Sequence, residues 1–137
     1  PLFVQKAAEG KADQINTCIG CNQACLDHTF GGKITSCLVN PRACHETLMV
    51  DSPAPSKERI AVVGAGPAGL AFSTEAAKRG FEVTLFDAAS EIGGQFNVAK
   101  QVPGKEEFYE TLRYFGKQVE LTGVKLQLNQ KVTPEYC

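Results

Sequence analysis

A chain of 137 residues with 14 basic and 15 acidic side chains, net charge −1, has no electrostatic reason to seek nucleic acid or an anionic membrane surface. Its longest uncharged stretch, 60–74, is interrupted by Gly64, Gly66, Pro67 and Gly69 and is too short to cross a bilayer, so no transmembrane helix is expected. The chain opens on Pro1 without a signal-peptide pattern and is expected to begin inside a longer polypeptide.

Taken in chain order, residues 4–9 read as the last turns of a helix closed by Gly10. A cysteine-rich segment follows, mostly loop, whose order has to come from a metal. The composition changes once, at 47–58. There Asp51, Ser52, Pro53, Ala54, Pro55 and Ser56 form a linker, because two prolines separated by one residue permit neither a helix nor a central strand.

Beyond the linker, 60–63 is an apolar run of strand length, 67–79 a helix stopped by Gly80, and 82–86 the next strand. Phe108, Leu112, Phe115 and Val119 recur on one helical face and predict a helix over 104–121, ended by Gly123. Val124, Leu126 and Leu128 then alternate with Lys125 and Gln127 as a half-buried strand. The order β-α-β-α-β predicts an α/β fold with a parallel sheet and right-handed crossovers. Residues 59–137 are thus the first part of a Rossmann-like domain, preceded by a metal-binding segment in 1–46 and the linker at 47–58. The strands that would flank 60–63 on its other side are absent, so this strand is expected at an unpaired edge and the piece by itself is expected to be marginal.

Cys18, Cys21, Cys25 and Cys37 read C-x2-C-x3-C-x11-C. Three thiolates within eight residues can wrap one corner of an inorganic core, and a fourth arriving from a loop completes the set that a [4Fe-4S] cluster requires. The alternative is a structural zinc site, which normally pairs its thiolates as two C-x2-C knuckles; only the first pair here has that form. Cys44 and His45 read as a packed thiol and a surface imidazole, and His28 as a substitute ligand only for zinc. Cysteines crowded into 18–37 of an α/β chain fit reduced, metal-binding thiols in a cytoplasmic setting better than a secreted disulfide framework.

Gly64, Ala65, Gly66, Pro67, Ala68 and Gly69 form G-x-G-x-x-G directly between a strand and a helix. Gly64 permits the tight turn, Gly66 lets the backbone approach a pyrophosphate and Gly69 lets helix and strand pack closely, with the exposed amides at the helix start facing the phosphates. Asp87, at the end of the second strand, is placed to accept hydrogen bonds from an adenosine ribose and to repel a phosphate on it, which selects FAD or NAD over NADP. The continuation Glu91, Ile92, Gly93, Gly94, Gln95 resembles the two-dinucleotide-binding flavoprotein pattern and points to FAD.

Three stretches together carry a wider resemblance: CIGCNQACLDHTFGGKITSCLVNPRACHE at 18–46, IAVVGAGPAGLA at 60–71 and LFDAASEIGGQFNVAKQVPGKEEFYETLRY at 85–114. The chain resembles the NADPH-dependent 2,4-dienoyl-CoA reductases, relatives of old yellow enzyme and trimethylamine dehydrogenase, over essentially its whole length. The wider family continues its fourth cysteine with an N-P-x-x-G-like segment, whereas Asn40, Pro41, Arg42, Ala43, Cys44 and His45 stand here, a variant that resembles the dienoyl-CoA reductase branch.

The resemblance implies a TIM barrel with FMN and the substrate site, then the cluster segment, then FAD and NADPH domains. This chain corresponds to the stretch from the barrel's end into the FAD domain, without catalytic barrel residues or an NADPH loop. Hydride would pass from NADPH to FAD, and single electrons through the cluster to FMN, for reduction of a dienoyl-CoA in fatty-acid β-oxidation. By the family pattern Cys18, Cys21, Cys25 and Cys37 ligate the cluster, and Gly64, Ala65, Gly66, Pro67, Ala68 and Gly69 meet the FAD pyrophosphate. Asp87 meets the ribose, Gly94 and Gln95 the flavin side, and Arg113 and Val132 the neighbourhood of the adenosine. The implied partners are the rest of the same polypeptide and the dienoyl-CoA substrate, with FMN and NADPH bound only in the complete enzyme. Two other readings stay open: a member of the same flavoprotein group acting on an enone or an amine, and a zinc-stapled nucleotide-binding module without catalysis.

Overall fold

The apolar run after the linker forms strand β1 (Arg59–Val63), which pairs in parallel with β2 (Glu82–Phe86), which in turn pairs in parallel with β3 (Lys125–Gln127). The sheet order is β1-β2-β3, with β2 in the middle. This computed structural model describes residues 2–136, so Cys137, for which the sequence offers no partner, lies outside the described residues. The parallel α/β arrangement is the one that the β-α-β-α-β order predicts.

Helix α3 (Pro67–Lys78) connects β1 to β2, and helix α5 (Glu107–Thr122) leads into β3. Both pack on one face of the sheet, against each other and against the alternating residues that the pleat turns toward them. Leu70 and Ala76 of α3, Val119 of α5, Val83 and Leu85 of β2, together with Ala65 and Val124, form the buried cluster. Ile60, Val62, Phe115 and Leu126 close around it.

On the opposite face Arg59, Ala61 and Val63 are exposed, Val63 to 62%. Among the described residues β1 stands at the end of the sheet, next to β2 alone. Lys125 bonds to Glu82 across this outer face, and Tyr136 meets Phe86 edge-on at 5.7 Å.

Helix α5 starts three residues later than its apolar periodicity implies. Gly104, in the left-handed region at φ +81°, makes a turn with its amide donated to the Glu106 carboxylate at 3.1 Å, and the helix begins after that turn. Its far end is closed by Gly123 at φ +73°, a left-handed cap that a side chain would strain. A one-turn helix, α4 (Phe96–Ala99), was not apparent from periodicity because it is too short to carry any. It is held by the stacking of Phe96 on Phe108 at 4.6 Å.

The first part of the chain contains helix α1 (Phe3–Ala8), a 3-10 turn at Ala12–Gln14 and helix α2 (Leu26–Phe30), which lies inside the x11 loop between the third and fourth cysteines. Residues 51–54, read as a linker, run along the end of α3. Arg79 donates from Nε to the Ser52 carbonyl at 3.0 Å, and the Ala54 amide donates to the Arg79 carbonyl at 2.7 Å.

Leu85 is fully buried in the middle strand, between both neighbouring strands and under both helices. Replacing it by alanine in the complete polypeptide is expected to cost about 3 kcal/mol or more, through lost burial and the cavity left behind. The measurement is the denaturant midpoint of unfolding; a shift no larger than that of an exposed control, Val63→Ala, would contradict this placement of the core.

Candidate functional site

The glycine loop leaves the end of β1 and enters α3 with its backbone fixed at several points. The Gly64 amide donates to the Phe86 carbonyl at 2.7 Å, extending the pairing of β1 with β2 by one residue. Gly64 takes φ +104°. Gly66 is the N-cap, with extended backbone, and Pro67 occupies the first helical turn, where its missing N–H costs no intrahelical bond. The first α3 amides are left free to face an anion.

The three glycines are not equivalent. A Cβ on Gly69 would lie 1.9 Å from the Gly64 carbonyl oxygen, so helix and loop touch at that point and only glycine fits. A Cβ on Gly66 meets nothing within 4 Å. The space beside Gly66 is open, as a backbone approached by a ligand requires.

Asp87 sits directly after β2, half-buried, and both carboxylate oxygens are engaged. One accepts the Ala65 amide at 2.6 Å, and the other accepts the Ala89 amide at 2.8 Å. The residue expected to meet a ribose therefore also anchors the glycine loop. Each oxygen keeps a second lone-pair site for an outside donor.

The Gly-Gly stretch comes to the same place, because the Gly93 amide donates to the Ala65 carbonyl at 2.7 Å. A Cβ on Gly94 would stand 3.2 Å from the Gly66 Cα, so two motifs separated in sequence are in backbone contact. Gln95 is exposed at the start of α4. Asn129 and Gln130 donate their amides to the Ala89 and Asp87 carbonyls, both at 2.9 Å, which brings the half-buried Val132 into the chain leaving this corner. The structure thus gathers 64–69, Asp87, Gly94, Gln95 and the approach to Val132 at one end of the sheet.

Arg113 stands elsewhere. It lies on α5, and its three nitrogens are directed to Glu110 and to the Asp13 and Ile15 carbonyls, just upstream of the cysteines. The guanidinium holds the Glu110 carboxyl below the usual carboxylate range by that hydrogen bond.

Two ties fold the cysteine segment back on itself. Asn16 Nδ2 donates to the Val39 carbonyl at 2.7 Å, joining the residue two before Cys18 to the residue two after Cys37. The Ser36 amide donates to the Ala24 carbonyl at 2.7 Å, which sets the neighbours of Cys37 and Cys25 side by side. Thr29 and Thr35 hydroxyls at 2.8 Å, and His28 Nδ1 at 3.0 Å from the Ile34 carbonyl, close the intervening loop, so His28 is occupied by its own loop.

All four motif cysteines are free thiols, Cys18 exposed and the other three half-buried, and the Gly20 amide points at the Cys18 sulfur at 3.4 Å. The soft donor set and the amide aimed at sulfur fit an iron-sulfur centre. Among the described residues, however, no three His, Cys, Asp or Glu side chains stand close enough together to hold a metal ion. Thiols converge when a metal orders them.

Between the two motifs lies an open cavity of about 1100 Å³, lined by Gly20 and Cys21 on one side, Pro67 and Phe72 of α3, and Phe108 and Tyr114 of α5. Desolvation pushes the Tyr114 hydroxyl's pKa upward, with the Glu75 carboxylate adding to it. Downstream of the cysteines Arg42 pairs with Asp51 and, at 3.0 Å, with Glu75 of α3. The ties made by Arg113, Arg42 and Asn16 were not apparent from the sequence. They join residues too far apart in the chain for any spacing rule to connect.

Residues 62–116 match the NAD(P)-binding Rossmann-like domain family. The chain is 42% identical over 135 residues to a metal reductase of Desulforamulus reducens, covering 98% of this chain and 20% of that protein. Among solved structures, a 2-naphthoyl-CoA reductase in complex with 2-naphthoyl-CoA superposes with a TM-score of 0.93 at 36% identity, over 96% of this chain and 20% of the other. Histamine dehydrogenase from Rhizobium sp. 4-9 superposes with a TM-score of 0.84 at 30% identity, over 97% of this chain and 20% of the other. The chain spans about one fifth of the length of the relatives it matches. No described helix is long and apolar enough to cross a membrane. The homologues of this chain are oxidoreductases of the old yellow enzyme and trimethylamine dehydrogenase-like flavin oxidoreductase family, and the stretch from the end of β1 to the middle of α5 carries the Rossmann-like match.

Proposed function

We propose that this chain is the electron-relay portion of a larger NAD(P)H-dependent flavin oxidoreductase of the cytoplasm. In this reading Cys18, Cys21, Cys25 and Cys37 hold a [4Fe-4S] cluster, while the loop 64–69, Asp87, Gly94 and Gln95 hold FAD. A bound flavin supplies conversion between two-electron and one-electron chemistry, and a cluster supplies one-electron transfer. The residues of this chain do the holding. Amides at the start of α3 face the pyrophosphate, Asp87 accepts from the ribose, and the cysteine thiolates ligate the iron.

The observation that carries this reading is that a residue of each motif lines one cavity, Cys21 beside Gly20 on one wall and Pro67 on another. A relay needs its centres close, and this cavity has the cysteine segment and the start of α3 on its walls. For the complete enzyme the substrate we assign is an unsaturated acyl-CoA thioester of the 2,4-dienoyl-CoA type, reduced at an FMN in a TIM barrel elsewhere in the polypeptide. The similarity to a 2-naphthoyl-CoA reductase supports a thioester substrate. The similarity to a histamine dehydrogenase favours the second reading, an amine substrate with the same relay.

The complete polypeptide is expected to contain about four iron atoms and four acid-labile sulfides in this segment. Cys25→Ser is expected to lose them, and Cys44→Ser, at a thiol outside the motif, to keep them. Stoichiometric zinc without sulfide after anaerobic reconstitution would overturn the assignment and leave a colourless structural site.

The glycines separate ligand from fold. Gly66→Val puts its Cβ where no protein atom lies within 4 Å, so it is expected to weaken FAD binding at least about tenfold while the unfolding midpoint stays put. Gly69→Ala, whose Cβ meets the Gly64 carbonyl, is expected to lower both flavin content and stability. Flavin content unchanged in Gly66→Val would show that the dinucleotide lies elsewhere.

A further inference from the structure

We propose that Arg113 is a positioning residue that fixes the path of the chain into Cys18, and so sets how the cysteine segment stands against the flavin-binding half. This deepens the relay reading above and rests on it.

Arg113 Nη1 donates to the Asp13 carbonyl at 2.7 Å and Nη2 to the Ile15 carbonyl at 2.9 Å, across 100 and 98 residues of sequence. Its Nε donates to Glu110 Oε2 at 2.7 Å, and the same carboxylate oxygen accepts from the Thr17 hydroxyl at 3.3 Å. Lys117, one turn further along α5, stands 3.5 Å from the Asp13 carboxylate. Thr17 is the residue before Cys18.

The chemistry suits a clamp on backbone. A planar guanidinium presents two donors in a fixed fork, and here they meet carbonyls two residues apart on a stretch that is extended at Ile15. Charged donors to carbonyls are stronger than neutral ones, and they hold a peptide path where a surface ion pair holds only side-chain tips. The constraint is passed on, because Asn16 lies next to the clamped Ile15 and donates to the Val39 carbonyl beyond Cys37. Through these bonds α5 governs both ends of the four-cysteine segment. A lysine at 113 has no fork and can replace one of the two carbonyl bonds.

The test uses the complete polypeptide with Arg113→Ala and Arg113→Lys. The readouts are hydrogen exchange at the amides of 13–17, the rate of iron loss to a chelator, and flavin content. We expect exchange at 13–17 and iron loss both to rise about tenfold in Arg113→Ala and less in Arg113→Lys, with flavin content unaltered in both. Unchanged exchange in both variants, or faster exchange with an unaltered rate of iron loss, overturns the inference. Loss of flavin without faster exchange also overturns it and returns Arg113 to the adenosine. A wild-type protein with neither iron nor sulfide refutes the relay reading instead, and the clamp is then judged on exchange alone.

Discussion

The approach of α3 to the end of β1 is the constraint on which the rest of the structure depends. Gly69 brings the helix so near the Gly64 carbonyl that a single methyl group would be only 1.9 Å away. That closeness keeps the first amides of α3 over the end of the sheet and seats Leu70 in the buried cluster. It also leaves the loop 64–66 as a narrow ridge of backbone, which other segments then engage. Asp87 takes the Ala65 amide, Gly93 takes the Ala65 carbonyl, and Gly94 lies against Gly66. A side chain at Gly94, whose Cβ would stand 3.2 Å from the Gly66 Cα, would press on this ridge and on the ligand-facing amides.

The two halves of the chain are joined in a different way. Within the α/β half, burial of Leu70, Val83, Leu85 and Val119 supplies the cohesion. The cysteine half places one buried apolar residue, Ala24, among its described residues and leaves Leu2, Phe3, Val4, Phe30, Ile34 and Leu38 exposed. Its attachment to the α/β half rests on polar bonds, Arg113 to carbonyls upstream and Arg42 to Glu75 downstream. Isolated surface ion pairs contribute about 0–1 kcal/mol each, so the backbone-directed bonds of Arg113 and the 51–54 stretch pinned along α3 carry more of the docking than Arg42 does. A junction of this kind sets geometry without a large core.

For Asp87 the geometry adds a duty to the one that its position suggests. A carboxylate whose two oxygens already take backbone amides is oriented before any ligand arrives. Its remaining lone pairs then face outward in a fixed direction, which lowers the ordering cost of binding.

The sequence by itself determined the elements whose signals are local. The strand–glycine–helix order at 60–79 and the apolar face of α5 follow from periods of two and 3.6 residues and from glycine's access to turns. The parallel sheet follows from element order, and the spacing of Cys18, Cys21, Cys25 and Cys37 is what proposes them as a donor set. Only the tertiary structure decided which distant residues meet. Arg113 turns to the Asp13 and Ile15 carbonyls because α5 packs beside α3 and the upstream chain crosses its exposed side, a placement that no local pattern encodes. The same holds for Asn16 on Val39 and for Gly94 on Gly66, where the information is in the packing of helices on the sheet and not in the spacing of residues along the chain.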